Sequence, residues 1–340
     1  MTFHINEAGY LLEVNNLETA FDIDGQYYNA VDNVSLNVGK GQIVGIVGES
    51  GCGKSVLSLS IMGLLPTGIG KIKAGEIIFN GIHLERMKDK EMNKIRGQDI
   101  SMIFQEPMTS LNPVFTIGYQ IQEVLFNHLK ISKAEAKAES VALLKSVGIS
   151  RPSEIIDEYP HQLSGGMRQR VMIAIAIACQ PKLLIADEPT TALDVTVQAQ
   201  ILNLIKEIQR VNDMSVILIT HDLGVVAEMC HEVLVMYAGK IVERTDVDTL
   251  FYHPKHPYTK LLMGAIPKMD EEVKVLSTIS GMVPSLKNMP SVGCRFSNRC
   301  PHKMPECNFE TPRLAELNKG HFVSCLLYEE SRPKEGEKQK

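Results

Sequence analysis

Three stretches of the chain carry residue types whose spacing could do chemistry. The first is Gly48-Glu49-Ser50-Gly51-Cys52-Gly53-Lys54-Ser55, which fits G-x4-G-K-S/T between an apolar run ending at Val47 and the helix-like VLSLSIMGLL. In that setting the glycines let successive backbone N–H groups curl around phosphate oxygens, and the start of a helix adds a favourable dipole. Lys54 is then placed for the β- and γ-phosphates of a nucleotide and the Ser55 hydroxyl for Mg2+. Cys52 falls on a variable position of the pattern, so its thiol is read as incidental.

The second stretch is LLIADEP at 183–189. Two acids closing an apolar strand are costly unless they face a ligand or a metal. Phosphoryl transfer needs an acid to hold the metal and a group to activate water. Asp187 suits the first role and Glu188 the second. The third stretch is Cys294-x5-Cys300-x6-Cys307-x17-Cys325. It lacks the C-x2-C pairs of zinc ribbons and the spacings of common ferredoxins. Four thiols so near one another still suggest a metal held by four thiolates, a ligand set that structural zinc and a 4Fe–4S cluster both accept.

The elements that must position these groups can be read around them. IVGIVG (43–48), EIIFNG (76–81), DISMIF (99–104), LLIADE (183–188), SVILIT (215–220) and EVLVMY (232–237) read as strands, several of them apolar at nearly every position. Helical period and length fall at 117–129, 133–147, 166–178 and 196–211. Strands alternating with helices predict an α/β fold around a mainly parallel sheet. KAEAKAE (133–139) is read as a solvated helix face. Composition changes after about residue 253, where a proline-punctuated, cysteine-bearing stretch predicts a small appended domain over 254–330; the polar tail 331–340 reads as disordered.

The 340 residues are 44% hydrophobic and 22% charged, a globular composition, with a formal net charge of −5. No basic excess or patch marks a nucleic-acid partner. The N-terminus shows no secretory pattern. The longest apolar run, 171–179, falls well short of the ~20 residues of a membrane span. A cytosolic chain is expected, in which seven cysteines are not a disulfide framework.

LSGGMRQR (163–170) lies upstream of LLIADEP, and here the chain resembles the ATP-binding cassette (ABC) family. The other motifs follow in order. Gln105 in FQEP matches the family's Q-loop glutamine, Thr191-Ala192-Leu193-Asp194 its D-loop with Thr where Ser is common, and His221 in THD its switch histidine. The resemblance implies a P-loop NTPase cassette over 1–253, with a mainly parallel core sheet, an antiparallel β part and a helical subdomain at about 107–180. It implies that Gln105 joins Ser55 and Asp187 at Mg2+ and that Glu188, His221 and Gln105 serve hydrolysis. Two cassettes would close head to tail, so that Ser164, Gly165 and Gly166 bind the γ-phosphate of the partner's ATP while Asp194 lies in the D-loop. Met167 stands where a glutamine is often seen, which puts one side-chain contact in doubt. Taken alone, Ser164 is equally a helix N-cap and His221 equally a core histidine. Phe21, ahead of the variable loop DIDGQYYN, matches the family's adenine-stacking aromatic, with Tyr27 and Tyr28 as rivals.

HPYT (256–259) and GCRFSNRCPHKMPEC…SC resemble the C-terminal extension of peptide-transporter ATPase subunits, the oligopeptide and dipeptide permease branch. That resemblance implies a 4Fe–4S cluster on Cys294, Cys300, Cys307 and Cys325, with Zn2+ as the alternative; His302 and His321 are read as surface residues. The function implied is the ATP-hydrolysing subunit of a di- or oligopeptide importer, peripheral on the cytoplasmic face of the cell membrane. Its implied partners are two integral membrane permease subunits docking near Gln105 and EPMTSLNP, a second homologous ATPase subunit, and indirectly an extracytoplasmic peptide-binding protein. An importer for nickel or an opine stays open. A soluble cassette acting on nucleic acid or the ribosome is disfavoured by the single phosphate loop and signature.

Overall fold

The computed structural model describes residues 9–105, 110–191, 193–265 and 279–329. The first half of the expected docking segment (106–109), Ala192 and the tail read as disordered (331–340) lie outside the described residues. The strands, in chain order, are β1 (Leu12–Ile23), β2 (Gln26–Val38), β3 (Ile43–Val47), β4 (Gly70–Phe79), β5 (Ile82–His83), β6 (Ile100–Ile103), β7 (Leu183–Asp187), β8 (Ser215–Thr220), β9 (Glu232–Tyr237), β10 (Lys240–Asp246), β11 (Ala315–Asn318) and β12 (His321–Val323).

Five of the apolar runs form the parallel heart of one sheet, in the order β9-β3-β8-β7-β6. Their alternate residues feed two different cores, which is why they read as continuous apolar runs. Ile43, Leu184, Ala186, Val216 and Leu218 belong to the core shared with the helices. Val44, Ile46, Leu183, Ile185, Ile217 and Ile219 belong to the core on the other face.

That second core is closed by an antiparallel sheet in the order β2-β1-β4-β5. EIIFNG, read among the alternating strands, lies in β4 and pairs antiparallel with β1. The long strands β1 and β2 were not anticipated as strands. DIDGQYYN is no loop but a hairpin, with Asp24 (φ 55°) and Gly25 (φ 80°) forming the turn between them. Asp-Gly with both residues at positive φ matches the right-handed twist of paired strands.

Helix α1 (Lys54–Met62) follows β3, and α2 (Asp89–Ile95) precedes β6. Between β6 and β7 come α3 (Ile117–His128), α4 (Lys133–Ser146), the one-turn α5 (Pro152–Ile155) and α6 (Gly165–Ile177), packed through the first core. KAEAKAE opens α4 as a solvated face: Lys133, Glu135, Lys137 and Glu139 are exposed and only Ala136 is buried. Ser132 and Glu135 close a reciprocal capping box there. Then follow α7 (Val195–Asn212), α8 (Leu223–Met229), α9 (Val247–Tyr252) and α10 (Pro257–Gly264).

The stretch after residue 253 is not set apart from the rest. β12 pairs antiparallel with β10, and β11 with β12, so residues 315–323 lengthen the core sheet. A third core joins Val47, Val233, Val235 and Tyr237 of that sheet to Leu250, Tyr258 and Phe296, with Cys294 and Cys300 packed against it.

Candidate functional site

Because β3, β6, β7 and β8 run parallel, their carboxyl ends lie along one edge of the sheet, and the phosphate loop, Gln105, the paired acids and His221 all follow those ends. The loop 48–53 leaves β3 and delivers Lys54 as the first residue of α1. Its backbone demands glycine. A Cβ on Gly48 (φ 154°) would stand 2.2 Å from the Met236 carbonyl oxygen, and one on Gly53 (φ 106°) 2.6 Å from that of Ala30. The Lys54 side chain is buried and its Nζ donates to the carbonyls of Gly48 (2.7 Å) and Glu49 (3.1 Å). The ammonium is thus held inside the loop, where a phosphate anion would be met. Cys52 is buried, and desolvation pushes its thiol pKa up despite the nearby Lys54 charge.

At the end of β7, Asp187 is 3% exposed. Burial is the main cause holding its carboxyl above the usual range; a hydrogen bond from Ser55 opposes this and the Glu188 charge adds to it. Its Oδ1 is buried with no hydrogen-bond partner. A buried carboxylate oxygen left orphaned beside a serine hydroxyl is a fit for a hard, oxygen-liganded cation such as Mg2+.

Glu188, one residue on, has positive φ (47°), and its N–H donates to the Ile219 carbonyl of β8 at 2.9 Å. Its Oε2 accepts from Gln105 Nε2 at 3.0 Å and from the Thr191 hydroxyl at 3.0 Å, and His221 Nδ1 lies 3.5 Å away. One carboxylate oxygen therefore gathers groups from after β6, β7 and β8. His221 has a side chain 66% exposed, which rules out the core-histidine reading.

The signature stands elsewhere. Ser164 is the N-cap of α6, its hydroxyl accepting from Met167 N–H at 3.3 Å, and Ser164 and Gly165 are exposed. The cap reading and an anion site at a helix start are therefore compatible on the same residues. Asp194 is likewise the exposed N-cap of α7, accepting from Val197 N–H at 3.0 Å. A Cβ on Gly166 would meet Val197 at 3.0 Å, so the two helix starts pack tightly together. Phe21 is half-buried on β1, opposite Tyr28 on β2 and Gly70 on β4. Of its rivals, Tyr27 carries the Lys71 ammonium 3.4 Å over its ring, and the Tyr28 hydroxyl donates to Gln26.

The four C-terminal cysteines come together from loops. Cys294 N–H donates to the Cys307 carbonyl at 2.8 Å. Burial first, and neighbouring thiols second, push Cys294 up to about 11 and Cys325 up to about 12. All four are free. Among the described residues, however, no group of three or more His, Cys, Asp or Glu side chains is arranged to hold a metal. The expected four-thiolate centre is thus not assembled as a ligand set among the described residues; Cys307 and Cys325 are buried, and the half-buried Cys294 and Cys300 pack against the third core. His302 is exposed, as expected. His321 is not: it is 3% exposed, with Nε2 2.8 Å from Oε1 of the fully buried Glu243, because β12 docks that histidine onto β10.

Sequence reading missed Tyr258 and Arg299, both of which touch the phosphate loop. Glu49 N–H donates to the Tyr258 hydroxyl at 2.9 Å, and Arg299 pairs with the Glu49 carboxylate. Tyr258 lies within HPYT, so a signal existed, although nothing in its spacing pointed back to residue 49.

Residues 31–191 match the family described as ABC transporter, and residues 242–307 the one described as oligopeptide/dipeptide transporter, C-terminal region. The chain is 54% identical to the oligopeptide transport ATP-binding protein AppD of Bacillus subtilis, over 94% of this chain and 97% of that one. It is 48% identical to the dipeptide transport ATP-binding protein DppD of Escherichia coli, over 93% and 96%. Among solved structures it resembles the ATP-binding cassette MJ0796, a dimer in a post-hydrolysis state bound to ADP and Pi. The TM-score is 0.62 at 29% identity, covering 69% of this chain and 98% of that one.

Proposed function

Because the chain belongs to the ABC transporter family, in its oligopeptide and dipeptide branch, we infer that it is the ATP-hydrolysing subunit of a peptide importer. The observation that carries this reading is the single Glu188 oxygen gathering Gln105, Thr191 and His221 beside the buried Lys54 and the orphaned Asp187.

The residues divide the work. The backbone N–H groups of 48–53 and the Lys54 ammonium bind and orient the β- and γ-phosphates. Ser55 and Asp187, with Gln105, would hold Mg2+, which when bound neutralises phosphate charge. Glu188 accepts the proton of a water as its oxygen attacks the γ-phosphorus and the bond to the bridging oxygen breaks, leaving ADP and phosphate. His221 and Gln105 keep that carboxylate and the γ-phosphate in register. Phe21 stacks the adenine. Ser164, Gly165, Gly166 and Asp194, exposed at two helix starts, serve the nucleotide of a second cassette subunit, so that ATP binding closes a head-to-tail pair.

Among the described residues no helix is long and apolar enough to cross a membrane. On this reading, which follows from the family, the chain works on the cytoplasmic face with two integral permease subunits, a second homologous ATPase subunit and, through them, an extracytoplasmic peptide-binding protein. The four converging thiols support a narrower reading: Cys294, Cys300, Cys307 and Cys325 bind a 4Fe–4S cluster, with zinc as the alternative. Iron and acid-labile sulfide assays on protein purified without oxygen test it, and absence of both iron and zinc defeats it.

The transport reading is tested by purifying the chain with its membrane subunits and following ATP-dependent uptake of labelled di- and oligopeptides into vesicles. Peptide uptake is expected. Uptake of nickel or an opine instead would reassign the substrate, and a ribosome-bound pool with no membrane pool would overturn the transporter reading.

A further inference from the structure

The phosphate loop is braced from outside by one short segment. The Arg299 side chain, 7% exposed, grips both oxygens of Glu49: Nη1 donates to Oε2 at 2.5 Å and Nη2 to Oε1 at 2.9 Å. The guanidinium is itself held, with Nε donating to the Ser280 carbonyl and Nη2 to those of Ile279 and Gly281. The Glu49 N–H is tied as well, to the Tyr258 hydroxyl. Both the main chain and the side chain of the second loop residue are thus fixed by residues beyond 253. Since Lys54 donates to the Glu49 carbonyl, the same ties bear on where its ammonium sits.

A second brace comes four residues before Arg299. Arg295, paired with Asp32, donates to the Ala238 carbonyl, and the next residue, Gly239, donates its N–H to the Cys52 carbonyl at 2.8 Å. The loop is thus held near its start by Arg299 and Tyr258 directly, and near its end by Gly239, whose neighbour Ala238 is held by Arg295. Glu49 occupies a variable position of the loop pattern, where no phosphate contact requires a carboxylate, so its charge answers to Arg299 rather than to nucleotide.

We propose that Arg299 is a positioning residue of the ATP site, holding the phosphate loop in its nucleotide-binding shape through Glu49. The proposal rests on the reading of this loop as the ATP site. A planar guanidinium forked onto a carboxylate fixes direction as well as distance. A loop already held in shape loses less freedom when ligand arrives, so the brace acts on affinity.

The test uses the full chain for Mg-ATP titration and the assembled transporter for hydrolysis. Arg299→Gln and Glu49→Gln should each raise Kd and KM for ATP about tenfold, with a smaller change in kcat, and the double variant should be no worse than either single one. Arg299→Lys, which keeps the charge but not the fork, should recover part of the loss. Loss of folded protein would instead lower kcat at unchanged KM, and that pattern would overturn the proposal. So would single variants with both constants within about twofold of the parent, or effects that add. Should Arg299→Gln fail to fold, Glu49→Gln removes the same pair from the loop side and decides alone. If the unmodified chain does not bind ATP, the ATPase reading fails rather than this one.

Discussion

The phosphate side and the thiol side of the molecule are built differently. Lys54 opens a helix, Asp187 ends a strand, Glu188 and His221 each follow one directly, and Ser164 and Asp194 cap helices. Positions of this kind are set by backbone hydrogen bonding and by parallel packing, so Lys54, Asp187, Glu188 and His221 meet along one sheet edge, while Ser164 and Asp194 stand exposed at two adjoining helix starts. Cys294, Cys300, Cys307 and Cys325 sit among single-turn 3-10 helices and loops. Their meeting depends on side-chain cores and ion pairs contributed by the rest of the protein. A site on regular elements announces itself in sequence spacing, whereas a site on loops is known only once the chain has folded.

The contrast can be broken most sharply on the phosphate side. Glu188→Gln should lower turnover of the assembled transporter by about 10³-fold while ATP Kd changes little, because the water loses its base and the phosphate cradle stays. Turnover within about tenfold of the parent would show that the carboxylate does not serve hydrolysis. Gly48→Ala should cost on the order of 3 kcal/mol in urea unfolding, since its Cβ would run into the Met236 carbonyl, a backbone atom that cannot step aside. A cost under about 0.5 kcal/mol would mean the loop does not need glycine there.

On the thiol side the effects are smaller. Cys300→Ser should lower stability by about 2 kcal/mol and abolish bound iron or zinc while leaving ATP Kd within about threefold. Unchanged melting and metal content would reduce the four thiols to packing groups. The smallest effect is a pH slope. His256 is buried and its pKa is pushed by desolvation down to about 3 from 6.5. The folded state keeps it neutral while the unfolded chain protonates, so its contribution is full above pH 6.5 and is lost as pH falls toward about 3. One proton gives a slope of about 1.4 kcal/mol per pH unit in that window. His256→Gln should flatten the urea-unfolding slope between those limits by one proton. An unaltered slope would place the acid response elsewhere.

How much was legible follows the same division. The five parallel strands could be read because burial on both faces writes an unbroken apolar run. The long helices could be read because one buried face writes a 3.6-residue period. β1 and β2 escaped because one face packs on the second core and the other carries polar residues such as Glu13, Glu18 and Asn29, interrupted by register shifts. The joining of β11 and β12 to the core sheet, and with it the burial of His321, escaped because such short strands carry no pattern of their own.

Resemblance supplied the signature and the family, while residue types and spacing alone determined the phosphate loop and the paired acids Asp187 and Glu188. Each of these is a local backbone geometry that only certain side chains permit. Tertiary structure alone decided that Gln105, Thr191 and His221 meet at one oxygen of Glu188, and that Arg299 and Tyr258 reach back to Glu49. Those contacts join residues up to 250 positions apart. Their distances are set by the packing of two faces of a sheet and a third core, and no short run of sequence contains that packing.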